Sequence, residues 1–283
     1  MRKFLIVALV TCSSVLAQDD PVWRSWNQPV APFRIAGNIY YVGANEITSY
    51  LITTPMGHIL LDGGFKETAP MILANIEKLG FRPKDVRILL SSHAHFDHAG
   101  GLAGLKRATG AKFYASAEDL PALARGGLDD PQFGDKYPFP PVEADRVVRD
   151  GERIEIDGTS LTAHITAGHT RGCTTYTMDV RDGGLTRGVV FFCSPSVPSE
   201  YKLVGNAKYP DVAADYRKQF ATLPKFDCDI PLASHGSFFS LEEKRKQLAS
   251  DPKSDPFVDP KGCRDLIAEM EKRFEAALAK QTK

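Results

Sequence analysis

Apolar and polar residues alternate in short runs along the first third of the chain, at 39–42, 49–53 and 58–61. Turn-forming groups separate the runs at Gly43-Ala44-Asn45 and Pro55-Met56-Gly57. Alternation of period two, bounded by Gly, Pro and Asn, predicts antiparallel strands. The pattern then takes a helical period over 69–79, stopped by Gly80, and returns to strand at 86–91. Helices are expected at 102–107 and 117–124, either side of a strand at 112–115. A second series of strands begins near Arg153 and runs through 160–166, 174–180 and 188–193, with a tight turn at Arg181-Asp182-Gly183-Gly184. Helix 212–223, strand 230–233, helix 241–248 and an amphipathic helix over 264–280 complete the chain. Leu266, Ile267, Met270, Phe274 and Leu278 form the packing face of the last helix.

Strands and helices, then strands and helices again with no linker between, predict two similar α/β halves whose sheets stack face to face. Ligands at strand ends in both halves then meet at one edge of the sandwich. The stretch 125–143 breaks the rhythm, with Gly126, Gly127, Gly134 and four prolines around Phe133, Tyr137 and Phe139. An irregular segment of that length is a functional loop or a packed surface loop. Its aromatic residues, Phe133 among them, are candidates to cover a substrate.

Composition adds little to this picture: 43% hydrophobic and 25% charged residues describe an ordinary globular protein. The first 17 residues read as an export signal, with Arg2 and Lys3, an apolar run over 4–10 and small residues before Ala17. The apolar run is too short to span a membrane. Cleavage after Ala17 leaves a single domain over 18–283, expected in the periplasm; a competing reading makes Cys12 of Leu9-Val10-Thr11-Cys12 a lipid-attachment site. Removing the signal leaves 33 Lys plus Arg against 35 Asp plus Glu. No basic stripe is present to grip phosphate, so nucleic acid is not an expected partner, and the chain is expected to act as a monomer.

Cys173, Cys193, Cys228 and Cys263 remain after processing, and an oxidising compartment permits disulfides in three complete pairings. The expected pair is Cys228 with Cys263, tying the His235 loop to the C-terminal helix. The alternative is four buried thiols.

The densest chemistry is His93-Ala94-His95-Phe96-Asp97-His98, three imidazoles and a carboxylate in six residues, directly after the apolar strand. Zinc takes imidazole nitrogen and carboxylate oxygen, and its catalytic sites keep a position for water. A strand breaking into a loop lets His93 and His95 point the same way, while Asp97 and His98 reach a neighbouring point from the next turn. Each centre then needs a third ligand. His169 in Ala167-Gly168-His169-Thr170 and His235 in Ala233-Ser234-His235-Gly236 supply them, each beside a glycine that lets the backbone turn sharply. Three ligands per centre leave room for water, whereas a structural zinc site is usually closed by four. His58, in an expected hairpin turn, and His164, in an alternating strand, are read as structural.

That six-residue run, with His169 and His235, resembles the metallo-β-lactamase superfamily, and the resemblance covers about residues 30–263. It implies an α+β, four-layer αββα sandwich with a dinuclear metal cleft at one edge. Leu60-Leu61-Asp62-Gly63-Gly64, Ala163-His164 ahead of Gly168-His169-Thr170, Tyr209-Pro210 ahead of Asp215-Tyr216, and the Cys228, His235, Cys263 spacing are similar to subclass B3. The resemblance assigns His93, His95 and His169 to a first zinc and Asp97, His98 and His235 to a second. Cys193-Ser194-Pro195-Ser196 looks like the stretch whose two serines contact the substrate carboxylate, here Ser194 and Ser196, with Pro195 a departure. Tyr201 is implied to polarise the substrate carbonyl. Cys193 stands near the place where many relatives carry a bridging Asp, and a thiolate ligand there would alter the metal set. The implied reaction is hydrolysis of the β-lactam amide of penicillins, cephalosporins and carbapenems, conferring antibiotic resistance. Its nucleophile is a hydroxide shared by two zinc ions and oriented by Asp97. The alternative is a related thioester or lactone hydrolase of the glyoxalase II or lactonase type, against which export and the missing bridging Asp both argue.

Overall fold

The computed structural model describes residues 20–282; the expected export signal over 1–17 lies outside them. Helix α1 (Pro21–Trp26) is capped by the Asp20 carboxylate, which accepts from the Val22 N–H at 2.8 Å. Strands β1 (Phe33–Ala36), β2 (Ile39–Tyr41), β3 (Tyr50–Ile52) and β4 (His58–Leu61) follow as an antiparallel meander. Helix α2 (Ala69–Lys78) crosses to β5 (Val86–Leu90), parallel to β4. Short α3 (Phe96–Ala99) and α4 (Leu102–Thr109) lead to β6 (Lys112–Ser116). Helix α5 (Leu120–Ala124) and an irregular segment lead to β7 (Arg146–Val148), completing a seven-stranded sheet in chain order. The second sheet has β8 (Arg153–Ile156), β9 (Thr159–Ile165), β10 (Thr174–Asp182) and β11 (Leu185–Phe192) antiparallel. Helix α6 (Val212–Thr222) then brings β12 (Ile230–Ala233) in parallel beside β11. Helices α7 (Leu241–Ser250) and α8 (Pro260–Gln281) close the chain.

Alternation along the strands makes the layers. Ile59 and Leu61 of β4, with Ile88 and Leu90 of β5, share one buried cluster with Leu161, Ala163, Tyr176 and Met178 of the other sheet. Leu60 and Leu89, pointing the opposite way, belong to a second cluster with Ile72 and Ile76 of α2 and Leu102 and Leu105 of α4. On the far face of the second sheet, Tyr216 and Phe220 of α6 pack on Phe274 of α8, with ring centroids 5.1 and 5.7 Å from it. The result is an αββα sandwich.

Several elements differ from the sequence reading for local reasons. Helix α8 starts at Pro260, ahead of the expected 264, because the Asp259 carboxylate accepts from the Gly262 N–H at 2.8 Å and proline fits the first turn, where no N–H is needed. Helix α5 starts at Leu120 rather than 117. His58 is the first residue of β4 rather than part of a hairpin turn. The segments α1, β1, α3 and β7 are each too short to show a period.

The two sheets are stitched at the edge where their strand ends meet. Tyr50 Oη donates to the Ala233 carbonyl at 2.7 Å, the Thr48 N–H donates to Ser234 O at 3.2 Å, and the Gly236 N–H donates to Glu46 O at 2.7 Å. These bonds hold the end of β12 against the β2–β3 loop. Away from this edge, Phe274 is fully buried, so Phe274→Ala should cost about 3–5 kcal/mol of stability in urea unfolding.

Candidate metal centre

Strand β5 delivers the histidine run to the stitched edge. Its last turn is fixed by Asp62, whose Oδ1 accepts from the Ser92 N–H at 2.6 Å. The Asp62 loop can lie this close to α3 and α4 because glycines face each other. A Cβ on Gly101 would strike the Gly63 carbonyl, and one on Gly63 would lie 2.7 Å from Leu102 N. His95 sits at the N-cap of α3, so Asp97 and His98 fall on a single helical turn behind it. His169 lies in the β9–β10 loop, closed by the Thr166 N–H donating to Cys173 O at 2.8 Å, and His235 directly follows β12.

These segments bring six side chains together. One ligand atom from each of His93, His95 and His169 falls within 4.8 Å of the other two, and His95 Nδ1 is 3.1 Å from His169 Nε2. Asp97 and His98 group with His93 within the same span. A tighter triangle joins them to His235: His98 Nε2 is 3.2 Å from His235 Nε2 and 3.3 Å from Asp97 Oδ2, and His235 Nε2 is 3.6 Å from Asp97 Oδ2. Zinc–nitrogen bonds of 2.0–2.1 Å in a tetrahedron place ligand atoms about 3.3 Å apart, the spacing of this triangle. His93 Nε2 is buried with no hydrogen-bond partner, an arrangement that costs stability unless a cation takes its lone pair. The donor set therefore fits a divalent metal.

The outward nitrogens have their own partners. His93 Nδ1 meets Ser92 Oγ at 2.9 Å, and His169 Nδ1 meets Ser196 O at 3.0 Å. Three carboxylates stand behind the others: Asp130 Oδ2 is 3.5 Å from His95 Nε2, Asp62 Oδ2 is 3.8 Å from His98 Nδ1, and Glu46 Oε1 is 3.5 Å from His235 Nδ1. Such partners fix ring orientation and raise ligand basicity. Burial, reinforced by the neighbouring imidazoles, holds His93 and His169 well below the usual histidine range, so both rings are neutral and keep a lone pair that a metal could take. Burial opposes ionisation of Asp97, yet the His98 imidazole prevails and holds its carboxyl below the usual range.

Asp119 is the strut of the first triad. Its Oδ2 accepts from the Ala94 N–H at 3.0 Å and from Thr170 Oγ1 at 3.2 Å, while its Oδ1 accepts from the Gly172 N–H at 3.0 Å. One carboxylate thus clamps the His93–His95 loop to the His169 loop, although burial pushes it up to about 6. A Cβ on Gly172 would collide with Ser116 and Asp119, so only glycine allows this approach. Asp119, Asp130 and Glu46 escape the sequence reading, and Asp62 enters it only within Leu60-Leu61-Asp62-Gly63-Gly64 with no role assigned, because each meets its histidine or loop from a distant segment. The Asp130-Pro131 pair, a turn signal inside an aromatic loop, is the one local hint.

The remaining candidates divide. Phe133 lines a cavity of about 400 Å³ over Asp97 and His235, walled also by Trp23, Trp26, Phe96, Tyr137 and Phe238, with Ser196 at its side. Among the described residues no Lys or Arg lines it. Ser194 is fully buried and reaches this cavity through Ser196 Oγ, 3.0 Å away. Tyr201 does not line it. Its buried side chain borders an adjoining cavity of about 320 Å³ with Asp130, Arg171 and Lys208, which His95 and His169 also line. Cys193 is paired with Cys173, so it offers no thiolate to a metal, and Cys228 is paired with Cys263. The four-thiol alternative is overturned with it. His58 Nδ1 accepts from the Thr54 N–H at 3.4 Å and His164 Nε2 meets Thr177 Oγ1 at 2.9 Å, both away from the cluster.

Removing the strut tests this construction. Asp119→Ala leaves two buried backbone donors and the part-buried Thr170 hydroxyl without their acceptor and should lower stability by about 1–3 kcal/mol in chemical denaturation. It should also weaken zinc binding roughly 10-fold or more in competition with a chromophoric chelator.

Comparison with known proteins agrees with this geometry. The sequence profile of the metallo-β-lactamase superfamily matches residues 42–183. The structure of native FEZ-1 metallo-β-lactamase from Legionella gormanii is 44% identical, covers 91% of this chain and 98% of its own, and superposes with a TM-score of 0.87. The class B3 di-zinc metallo-β-lactamase LRA-12 from an Alaskan soil metagenome is 35% identical over 89% of this chain and 96% of its own, with a TM-score of 0.85. A more distant relative is the hydroxyacylglutathione hydrolase GloC of Haemophilus influenzae, 24% identical over 68% of this chain and 84% of its own. The chain belongs to the metallo-β-lactamase superfamily and is an enzyme most similar to its subclass B3 members.

Proposed function

We propose that this chain hydrolyses the amide bond of β-lactams, holding two zinc ions, one at His93, His95 and His169 and the other at Asp97, His98 and His235. The observation that carries the reading is the pair of three-donor clusters on the floor of an aromatic-walled cavity. Three protein ligands apiece leave each centre open, as a catalytic rather than a structural site requires. Bound zinc supplies Lewis acidity and lowers the pKa of water.

The chain's residues do the positioning. Asp97, ionised and tied to His98 and His235 through Oδ2, has its other oxygen to accept a hydrogen bond from the attacking water and direct a lone pair toward the carbonyl. Ser196 offers a hydroxyl to the substrate carboxylate, and Ser194 orients that hydroxyl from below. Phe133, Tyr137 and the two tryptophans pack the apolar parts of the substrate and thin the water around the reacting bond. With no lysine or arginine along this wall among the described residues, carboxylate recognition falls to hydroxyls and metal charge. The chain acts in the periplasm, with residues 1–17 as its export signal, and confers resistance to these antibiotics. No helix among the described residues is long and apolar enough to cross a membrane.

The distant likeness to GloC keeps a thioester hydrolase as the second reading. Purified mature chain with excess zinc should open imipenem and nitrocefin and leave S-lactoylglutathione nearly untouched, and a chelator should abolish turnover. Intact β-lactams beside rapid thioester cleavage would reverse the assignment.

A further inference from the structure

The segment between α5 and β7 contains no helix or strand, so its shape must come from individual bonds, and Asp130 makes four of them around Phe133. Its Oδ1 accepts from the Gln132 N–H at 2.8 Å and the Phe133 N–H at 2.7 Å, a side-chain turn that sets the backbone of Phe133. Main-chain bonds between Asp130 and Gly134, at 3.0 and 3.1 Å, close the same small loop. The other carboxylate oxygen faces His95 Nε2 at 3.5 Å, on the side of the ring away from the metal cluster. Phe133 then returns to His95 edge-on, with centroids 5.1 Å apart, and packs on Tyr137 at 5.2 Å. His95, Asp130 and Phe133 thus form a closed circuit. Asp130 is only 7% exposed, so water screens this circuit little.

We propose that Asp130 is a positioning residue that couples metal binding at His95 to the placement of the Phe133 loop over the substrate cavity. A cation on His95 Nδ1 makes the opposite N–H a stronger donor and tightens its pair with Asp130. That carboxylate also holds the Phe133 N–H, so the tightening is felt by the loop. The coupling is reciprocal: a loop held in place keeps the carboxylate behind His95 and raises metal affinity. The inference rests on the metal-centre reading above and adds to it a determinant of how the cavity is covered.

Tryptophan emission gives a readout independent of turnover. The chain has two tryptophans. Trp23 packs on Tyr137 of this loop at 4.6 Å and on Phe96 at 4.8 Å, whereas Trp26 packs on His235 itself at 5.4 Å and would report metal directly. In a Trp26→Phe background, zinc added to the metal-free mature chain should change Trp23 emission. Asp130→Asn keeps an oxygen for the turn but loses the charge facing His95. It should weaken one zinc equivalent roughly 10–100-fold against a chromophoric chelator and remove the Trp23 response. Asp130→Ala should do the same and also raise KM for nitrocefin more than it lowers kcat. Circular dichroism melts of the metal-free variants, expected near that of the parent, separate these effects from unfolding. Parental zinc affinity in Asp130→Asn, or an unchanged Trp23 response, would overturn the proposal. Coupling without any β-lactam turnover would overturn only the functional reading, and turnover without coupling only this one.

Discussion

The site depends on holding five imidazoles and a carboxylate inside the protein with lone pairs aimed at one another. A buried polar atom without a partner costs about 1–3 kcal/mol, and His93 Nε2 stands in that position. The cluster is therefore a load on the metal-free fold, and a cation relieves it by taking the lone pairs. Until then the load is carried from outside. Ser92, the Ser196 carbonyl, Asp130, Asp62 and Glu46 hold the rings by their far nitrogens, so that the near ones converge.

The sandwich supplies the rigidity this requires. The first triad draws on the end of β5 and on the β9–β10 loop, one from each sheet, and Asp119 bridges them. The second draws on α3 and on the end of β12, which is pinned to the β2–β3 loop by Tyr50, Thr48 and Gly236. The Cys173–Cys193 disulfide adds a covalent tie between the His169 loop and the end of β11, where Ser194 and Ser196 lie. Each of the six residues thus sits on or beside a short segment anchored by a strand end or by the single turn of α3, the arrangement that keeps donor geometry within narrow limits.

The cluster of six candidate ligands was legible in the sequence because four of them crowd into six residues and the other two stand beside glycines after apolar runs. The layered fold was legible for a similar reason, since strand alternation and the helical period of α8 are local signals. The supports were not. Asp130 lies far along the chain from His95, Asp119 from Gly172 and Glu46 from His235, and an acidic residue in a polar stretch carries no mark of what it will face. Tyr201 follows Ser196 closely in sequence, but that proximity does not say which cavity its side chain borders. The Cys173–Cys193 pair went unread because three pairings were compatible with the spacing, and only the closing of the β9–β10 loop onto β11 selects one.

Diffraction recorded above and below the zinc absorption edge, on crystals of the mature chain, tests the central claim most directly. The account predicts two anomalous peaks, one enclosed by His93, His95 and His169 and one by Asp97, His98 and His235. A single peak, or one held by residues outside these six, would contradict it.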